Sequence, residues 1–129
     1  MTARRMSYQQ YRHMTKNKPS KYKNQPIEID GHKFPSRKEA NRYIQLKLLE
    51  KAGKIVSLEI QVPFELQPKF VHNGRTIRAI KYVADFVYFD SRGKMHIEDV
   101  KGSEDFTTPE FKLKRKMFIY KYGTDIEIV

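Results

Sequence analysis

Residues 78–102 read RAIKYVADFVYFDSRGKMHIEDVKG, two strand-length runs separated by the turn signal DSRGK. Both runs are rich in β-branched and aromatic residues and are bounded by glycine or polar clusters, which predicts strands. Runs this close in the chain can pair only antiparallel, because a parallel pair needs a crossover of about a dozen residues or more. Side chains alternate across a strand. The first run therefore places Val83, Asp85 and Val87 on one face and Tyr82, Ala84, Phe86 and Tyr88 on the other. In the second, Met95, Ile97, Asp99 and Lys101 share a face, and His96, Glu98 and Val100 oppose them. Glu98 is expected to face solvent or to support the site rather than to act as a ligand.

The remaining elements assemble around this pair. IEIDGHKFPS predicts a short hairpin turning at Asp30 and Gly31. Ser36 and Glu39 have the spacing of a capping box, which predicts a helix over 36–51 with an apolar stripe through Ala40, Tyr43, Ile44, Leu48 and Ala52 and a stop at Gly53. Residues 55–70 are β-rich, Pro63 marks an edge position or a bulge, and Asn73-Gly74 offers a hairpin turn. A second helix is predicted over 108–122, starting near Pro109 and ending at Gly123, with Phe111, Phe118 and Ile119 in the core; TDIEIV follows as a strand. The expected fold class is α/β: a helix, a three-stranded antiparallel meander, a second helix and a final strand.

A chain of 129 residues is long enough for one hydrophobic core. It contains no cysteine, which excludes disulfides and thiolate metal sites, and no apolar run approaches the roughly 18 residues of a membrane span. A soluble cytoplasmic protein without membrane partners is expected. The net charge of +11 is uneven: residues 1–25 hold seven Lys or Arg and no acid, leaving 11 − 7 = +4 for the rest. This divides the chain into a basic arm over 1–25 and a single domain over 26–129. Arg12, Lys16, Lys18, Lys21 and Lys23 alternate with tyrosines in the arm, a composition suited to phosphates and stacked bases. A solubilising tail is the alternative.

On neighbouring strands, Asp85 and Asp99 are expected to meet. Two carboxylates sharing a poorly hydrated site repel, and burial disfavours the charged form of each. Lys101 supplies one compensating charge, and a hard divalent cation such as Mg²⁺ would satisfy several carboxylate oxygens at once. The alternatives are a buried structural acid at Asp85 and an ordinary ion pair between Asp99 and Lys101. Glu39 borders the packed face of its helix, so it is either a third ligand or only the capping partner of Ser36.

Glu39 on a helix, then Asp85, then Asp99-Val100-Lys101 on consecutive strands resemble the PD-(D/E)XK nuclease superfamily, over residues 36–129. SRKEANRY, YVADFVYF and IEDVKG together are also similar to small phage-encoded endonuclease-like proteins. Two positions depart from the usual pattern: Ala84 stands where a proline often precedes the first aspartate, and the second acid is Asp99 rather than Glu. The resemblance implies a restriction-endonuclease-like core and a Mg²⁺-dependent endodeoxyribonuclease, with Mn²⁺ as a substitute. Glu39, Asp85, Asp99 and the Val100 carbonyl would hold the ion, and Lys101 would orient water or neutralise developing charge. Ser103, Thr107 and Thr108 would then bond flanking phosphates, joined by Lys112, Lys114, Arg115 and Lys116 unless these form only a solvated helix face. A homodimer acting on branched DNA, such as a four-way junction in a phage-infected bacterial cell, fits one site per chain. A noncatalytic nucleic-acid-binding scaffold is the rival expectation, and an RNA-binding accessory of the ribosome would leave the acidic pair unexplained.

Overall fold

The structure, a computed structural model, describes residues 26–129. The arm expected over 1–25, including Arg12, Lys16, Lys18, Lys21 and Lys23, lies outside the described residues. The chain forms two compact units, one ending at Ala40 and the other running from Asn41 to Val129.

In the first unit, β1 (Ile27–Ile29) and β2 (His32–Phe34) pair antiparallel. Asp30 and Gly31 between them take φ of 52° and 78°, a left-handed turn that Asp-Gly adopts with little strain and that matches strand twist. Ser36 then caps helix α1 (Arg37–Lys51): its Oγ accepts a hydrogen bond from the Glu39 N–H at 3.2 Å. This satisfies one of the donors that a helix start leaves open.

The second unit holds a four-stranded sheet in the order β3 (Ile55–Gln67), β6 (Ile80–Asp90), β7 (Met95–Asp99), β8 (Glu127–Ile128). The first three are antiparallel neighbours, as the meander requires, whereas β8 returns parallel to β7 after helix α2 (Pro109–Tyr122). The fold is thus α/β with a mixed sheet. β3 is an edge strand, where Pro63 forfeits no interior ladder bond. Between β3 and β6 the chain extends into a separate ribbon, β4 (Phe70–His72) and β5 (Arg75–Ile77), turning at Asn73-Gly74. No helix among the described residues is long and apolar enough to cross a membrane.

One core lies between the sheet and α2, where Tyr82, Ala84, Val87 and Ile97 pack with Phe111 and Phe118. The strict alternation expected along β6 is broken there. Tyr82 and Ala84 share this core with Val87, while Phe86 stacks on Tyr43 of α1 at 6.4 Å. The face changes at Asp85. Ladder pairing passes from Ile60↔Phe86 to Val62↔Ala84, and Gln61 between them has φ of 51°. The register itself is continuous here; its shifts lie between Val56 and Glu59 and between Glu65 and Gln67.

The helices also depart from their expected stripes. Tyr43 and Leu46 of α1 are buried, but Ile44 and Leu48 are 45% and 64% exposed, and Ala52 is exposed too. Arg42 reaches Glu98 on the sheet, and one α-helical turn carries Leu46 to the same side. That rotation leaves Ile44 and Leu48 facing water. In α2, Phe111 and Phe118 are buried as expected, whereas Ile119 is exposed because the core needs only the side that bears the two phenylalanines.

Candidate functional site

Asp85 and Asp99 stand one step beyond the last β6–β7 ladder pair, Phe86↔Glu98. At this step a side chain replaces the ladder: the Val100 N–H donates to Asp85 Oδ2 at 2.7 Å. Gln61 on β3 adds a side-chain hydrogen bond to the same carboxylate. Burial, reinforced by the charge of Asp99, nevertheless pushes the Asp85 carboxyl up to about 6, against the opposing pull of the Val100 amide, Lys101 and Gln61.

Asp99 is only 7% exposed. Its Oδ2 accepts from the Tyr82 hydroxyl at 2.7 Å, and its Oδ1 lies 3.1 Å from Lys101 Nζ. Burial raises the Tyr82 phenol above its ordinary pKa, and the neighbouring Asp99 raises it further, so Tyr82 stays a donor. Lys101 lies past the end of β7, with its Nζ 4.5 Å above the Phe111 ring. The backbone that carries it is fixed by the Lys101 and Gly102 N–H groups, which both donate to the Val129 carbonyl at 2.9 Å.

Asp85, Asp99, Val100 and Lys101 are thus brought together at one end of the sheet. Val100 contributes its amide to Asp85. Glu39 belongs to the first unit, in the first turn of α1, where its backbone serves the cap. Among the described residues, no group of three or more His, Cys, Asp or Glu is gathered to hold a metal ion. A buried and a half-buried carboxylate still fit a hard cation such as Mg²⁺, which is commonly held by one or two carboxylates, several waters and substrate phosphates.

Glu98 corrects the sequence expectation. It is 1% exposed, not solvent-facing, and it points away from Asp99. Arg42 clamps it in a bidentate pair, Nε to Oε1 at 2.7 Å and Nη2 to Oε2 at 2.6 Å, and the Tyr88 hydroxyl donates to Oε2 as well. With Phe86 and Tyr88 turned toward α1, a carboxylate on their face is buried and must find a cation. Alternation along MHIED placed Glu98 opposite Asp99, but no local pattern marked Arg42, 56 residues away, as its partner. Tyr82 and Gln61 were likewise missed as supports of the pair, since both contacts depend on pairing across strands.

The expected phosphate contacts divide by availability. Ser103 Oγ caps a 3₁₀ turn (Glu104–Phe106) by accepting from Asp105 N–H, and Thr108 Oγ1 caps α2 by accepting from Phe111 N–H. Each hydroxyl keeps its own proton to donate. Thr107 has already given its proton to the Glu104 carbonyl at 2.8 Å. Lys114 pairs with Glu110, and Arg115 bridges Glu104 and Asp125, tying the 3₁₀ turn to the approach to β8. Lys112 and Lys116 are the exposed pair of the four.

The sheet, the carboxylate pair at its end and the adjoining lysine define a mixed α/β protein with a compact acid–lysine site. Residues 19–128 match the family described as Protein of unknown function (DUF1064), and the chain belongs to that family. Neither the curated proteins nor the solved structures contain a match.

Proposed function

We propose that this protein is a metal-dependent endonuclease that hydrolyses DNA phosphodiester bonds, on a restriction-endonuclease-like core. The observation that carries the reading is the pairing of Asp85 with Asp99 beside Lys101. A folded chain gains no stability from placing a second carboxylate next to a buried first one, so such pairs point to a site where charge does chemistry.

Asp85 and Asp99 would hold Mg²⁺ or Mn²⁺, with the Val100 carbonyl as a further oxygen donor. A bound ion of this kind supplies an acidified water and neutralises charge on the phosphate. Tyr82 fixes Asp99 by its hydrogen bond, and the Val100 amide and Gln61 fix Asp85, so neither carboxylate need reorient when substrate arrives. Lys101, one hydrogen bond from Asp99, can transfer its proton contact to the attacking water or to a phosphate oxygen, where it offsets developing negative charge. Ser103, Thr108, Lys112 and Lys116 would position the strand through its backbone. One site per chain would require two copies to cut both strands of a branched DNA.

A noncatalytic nucleic-acid-binding role is favoured by one observation: Asp99 already has partners in Lys101 and Tyr82, as a purely structural acid would. Cleavage of labelled duplex, single-stranded, flapped and four-way-junction DNA separates the two readings. Products that need Mg²⁺ or Mn²⁺, vanish in EDTA and are lost in Asp85→Ala and Lys101→Ala are expected. DNA bound but left intact with either metal would overturn the nuclease reading in favour of the scaffold.

A further inference from the structure

We propose that the β4–β5 ribbon inserts into a groove of duplex DNA, with Lys69, Arg75 and Arg78 contacting phosphates on both sides of it; the inference rests on DNA as the partner of the proposed nuclease. The ribbon is a prolongation of the sheet. Gln67↔Ile80 in the β3–β6 pair and Phe70↔Ile77 in the ribbon keep one register across the break at Pro68-Lys69 and Arg78-Ala79. Beyond that break no third strand joins among the described residues, because β4 and β5 form a sheet of their own. All six of their residues are exposed, including Val71 at 69%. A lone hairpin with apolar side chains in water is marginal by itself, so an uncovered one continuing two long strands invites a partner.

Its charge identifies that partner. Residues 68–79 contain Lys69, Arg75 and Arg78 and no Asp or Glu. Elsewhere in this unit Arg42, Lys101, Lys114, Arg115 and Lys121 each meet a carboxylate, whereas Lys112 and Lys116 on α2 form no ion pair among the described residues. The ribbon's three cations meet none among the described residues. By alternation, Arg75 falls on the face of Phe70 and Ile77, while Lys69 and Arg78 fall on the face of Val71 and Thr76. A flat acidic surface would engage cations on one face only. Cations on both faces suit a partner with an anionic wall on each side, and the major groove of B-DNA, about 12 Å wide, admits a two-stranded ribbon between its phosphate rows. Phe70 or Val71 would then approach base edges. A second copy of the chain is disfavoured as occupant, because it would oppose like charges.

The test is fluorescence anisotropy of a labelled 20-base-pair duplex in EDTA, from 50 to 200 mM NaCl, for the full chain and for Lys69→Ala/Arg75→Ala/Arg78→Ala. Each phosphate left without its cation lowers the slope of log K against log salt by about 0.9, so the triple variant should lose about 2–3 from the slope, weakening the salt response over this range by about 40-fold. The positions are exposed, and an unchanged urea midpoint checks folding; Arg75→Gln/Arg78→Gln should show about two thirds of the effect. An unchanged slope overturns the inference. So does an equal loss on a single-stranded probe, which has no groove, or a change in sedimentation mass, which would make the ribbon an interface between copies. Cleavage in Mg²⁺ is scored separately: slope loss without any cleavage overturns only the nuclease reading, and cleavage with an unchanged slope overturns only the ribbon.

Discussion

Arg42→Ala is expected to be strongly destabilising although it lies outside the acid–lysine site. It removes both guanidinium bonds to Glu98 and leaves a carboxylate that is 1% exposed with, among the described residues, the Tyr88 hydroxyl as its side-chain partner. Breaking a buried ion pair from one side costs about 3–5 kcal/mol, since the remaining charge has neither water nor counter-ion. The Arg42 side chain is 25% exposed, so its loss opens a path for water to Glu98 and places the cost near the lower end, about 3 kcal/mol. With a urea m-value of about 1–3 kcal/mol/M, that loss moves the unfolding midpoint down by about 1–3 M. Far-UV circular dichroism against urea measures it. Replacing the whole network by apolar groups, Arg42→Met with Tyr88→Phe and Glu98→Leu, should recover most of the loss, because the cost lies in the orphaned charge. A midpoint for Arg42→Ala within about 0.3 M of wild type would refute the argument that this pair anchors α1 to the sheet.

Tyr82→Phe removes the hydroxyl bond to Asp99 and should cost about 1.5–3 kcal/mol, the worth of a hydrogen bond to a charged group, seen as a lower urea midpoint; an unchanged midpoint would mean that Asp99 does not depend on it. His96 stacks on Tyr88 with Nε2 2.8 Å from Asp90 and Nδ1 2.7 Å from Glu127. Burial works to lower its pKa, but the two carboxylates prevail and hold it above 6.5. Because the folded value exceeds the unfolded one, the contribution is complete below about pH 6.5 and fades as pH rises through the raised value. Thermal unfolding of His96→Gln from pH 5 to 9 should therefore lose this pH dependence, and an identical profile in wild type and variant would sink the assignment. Mg²⁺ should raise the thermal midpoint of the wild type, by the equivalent of about 2.7 kcal/mol at 100 times its Kd, and leave Asp85→Asn unmoved. Equal shifts in both proteins would place the ion elsewhere.

Much of the fold was legible because local signals agreed with one another. Asp30-Gly31 and Asn73-Gly74 turn as their φ requirements dictate, Ser36 and Thr108 start helices, and the three long strands follow in meander order. What could not be read were features set by pairing between distant segments. Strict alternation misassigned Tyr82 and Ala84, which share the α2 core with Val87 rather than the face of Phe86 and Tyr88. Ile44 and Leu48 look like core residues in the sequence, yet the rotation of α1 answers to Glu98. The meeting of Asp85, Asp99 and Lys101 was legible because it needed only adjacency of two strands joined by a tight turn. Their supports, Tyr82 and Gln61, required the register itself.

Glu98 and Asp99 are consecutive residues that serve opposite sides of one sheet. The first is neutralised by an arginine from α1, and the second is held beside a tyrosine and a lysine toward α2. A protein engineer can therefore treat the two faces as separate workspaces. Substitutions around Asp85 and Asp99 need not disturb the clamp that fixes β7, and a reinforced clamp would leave stability to spare for changes on the other side.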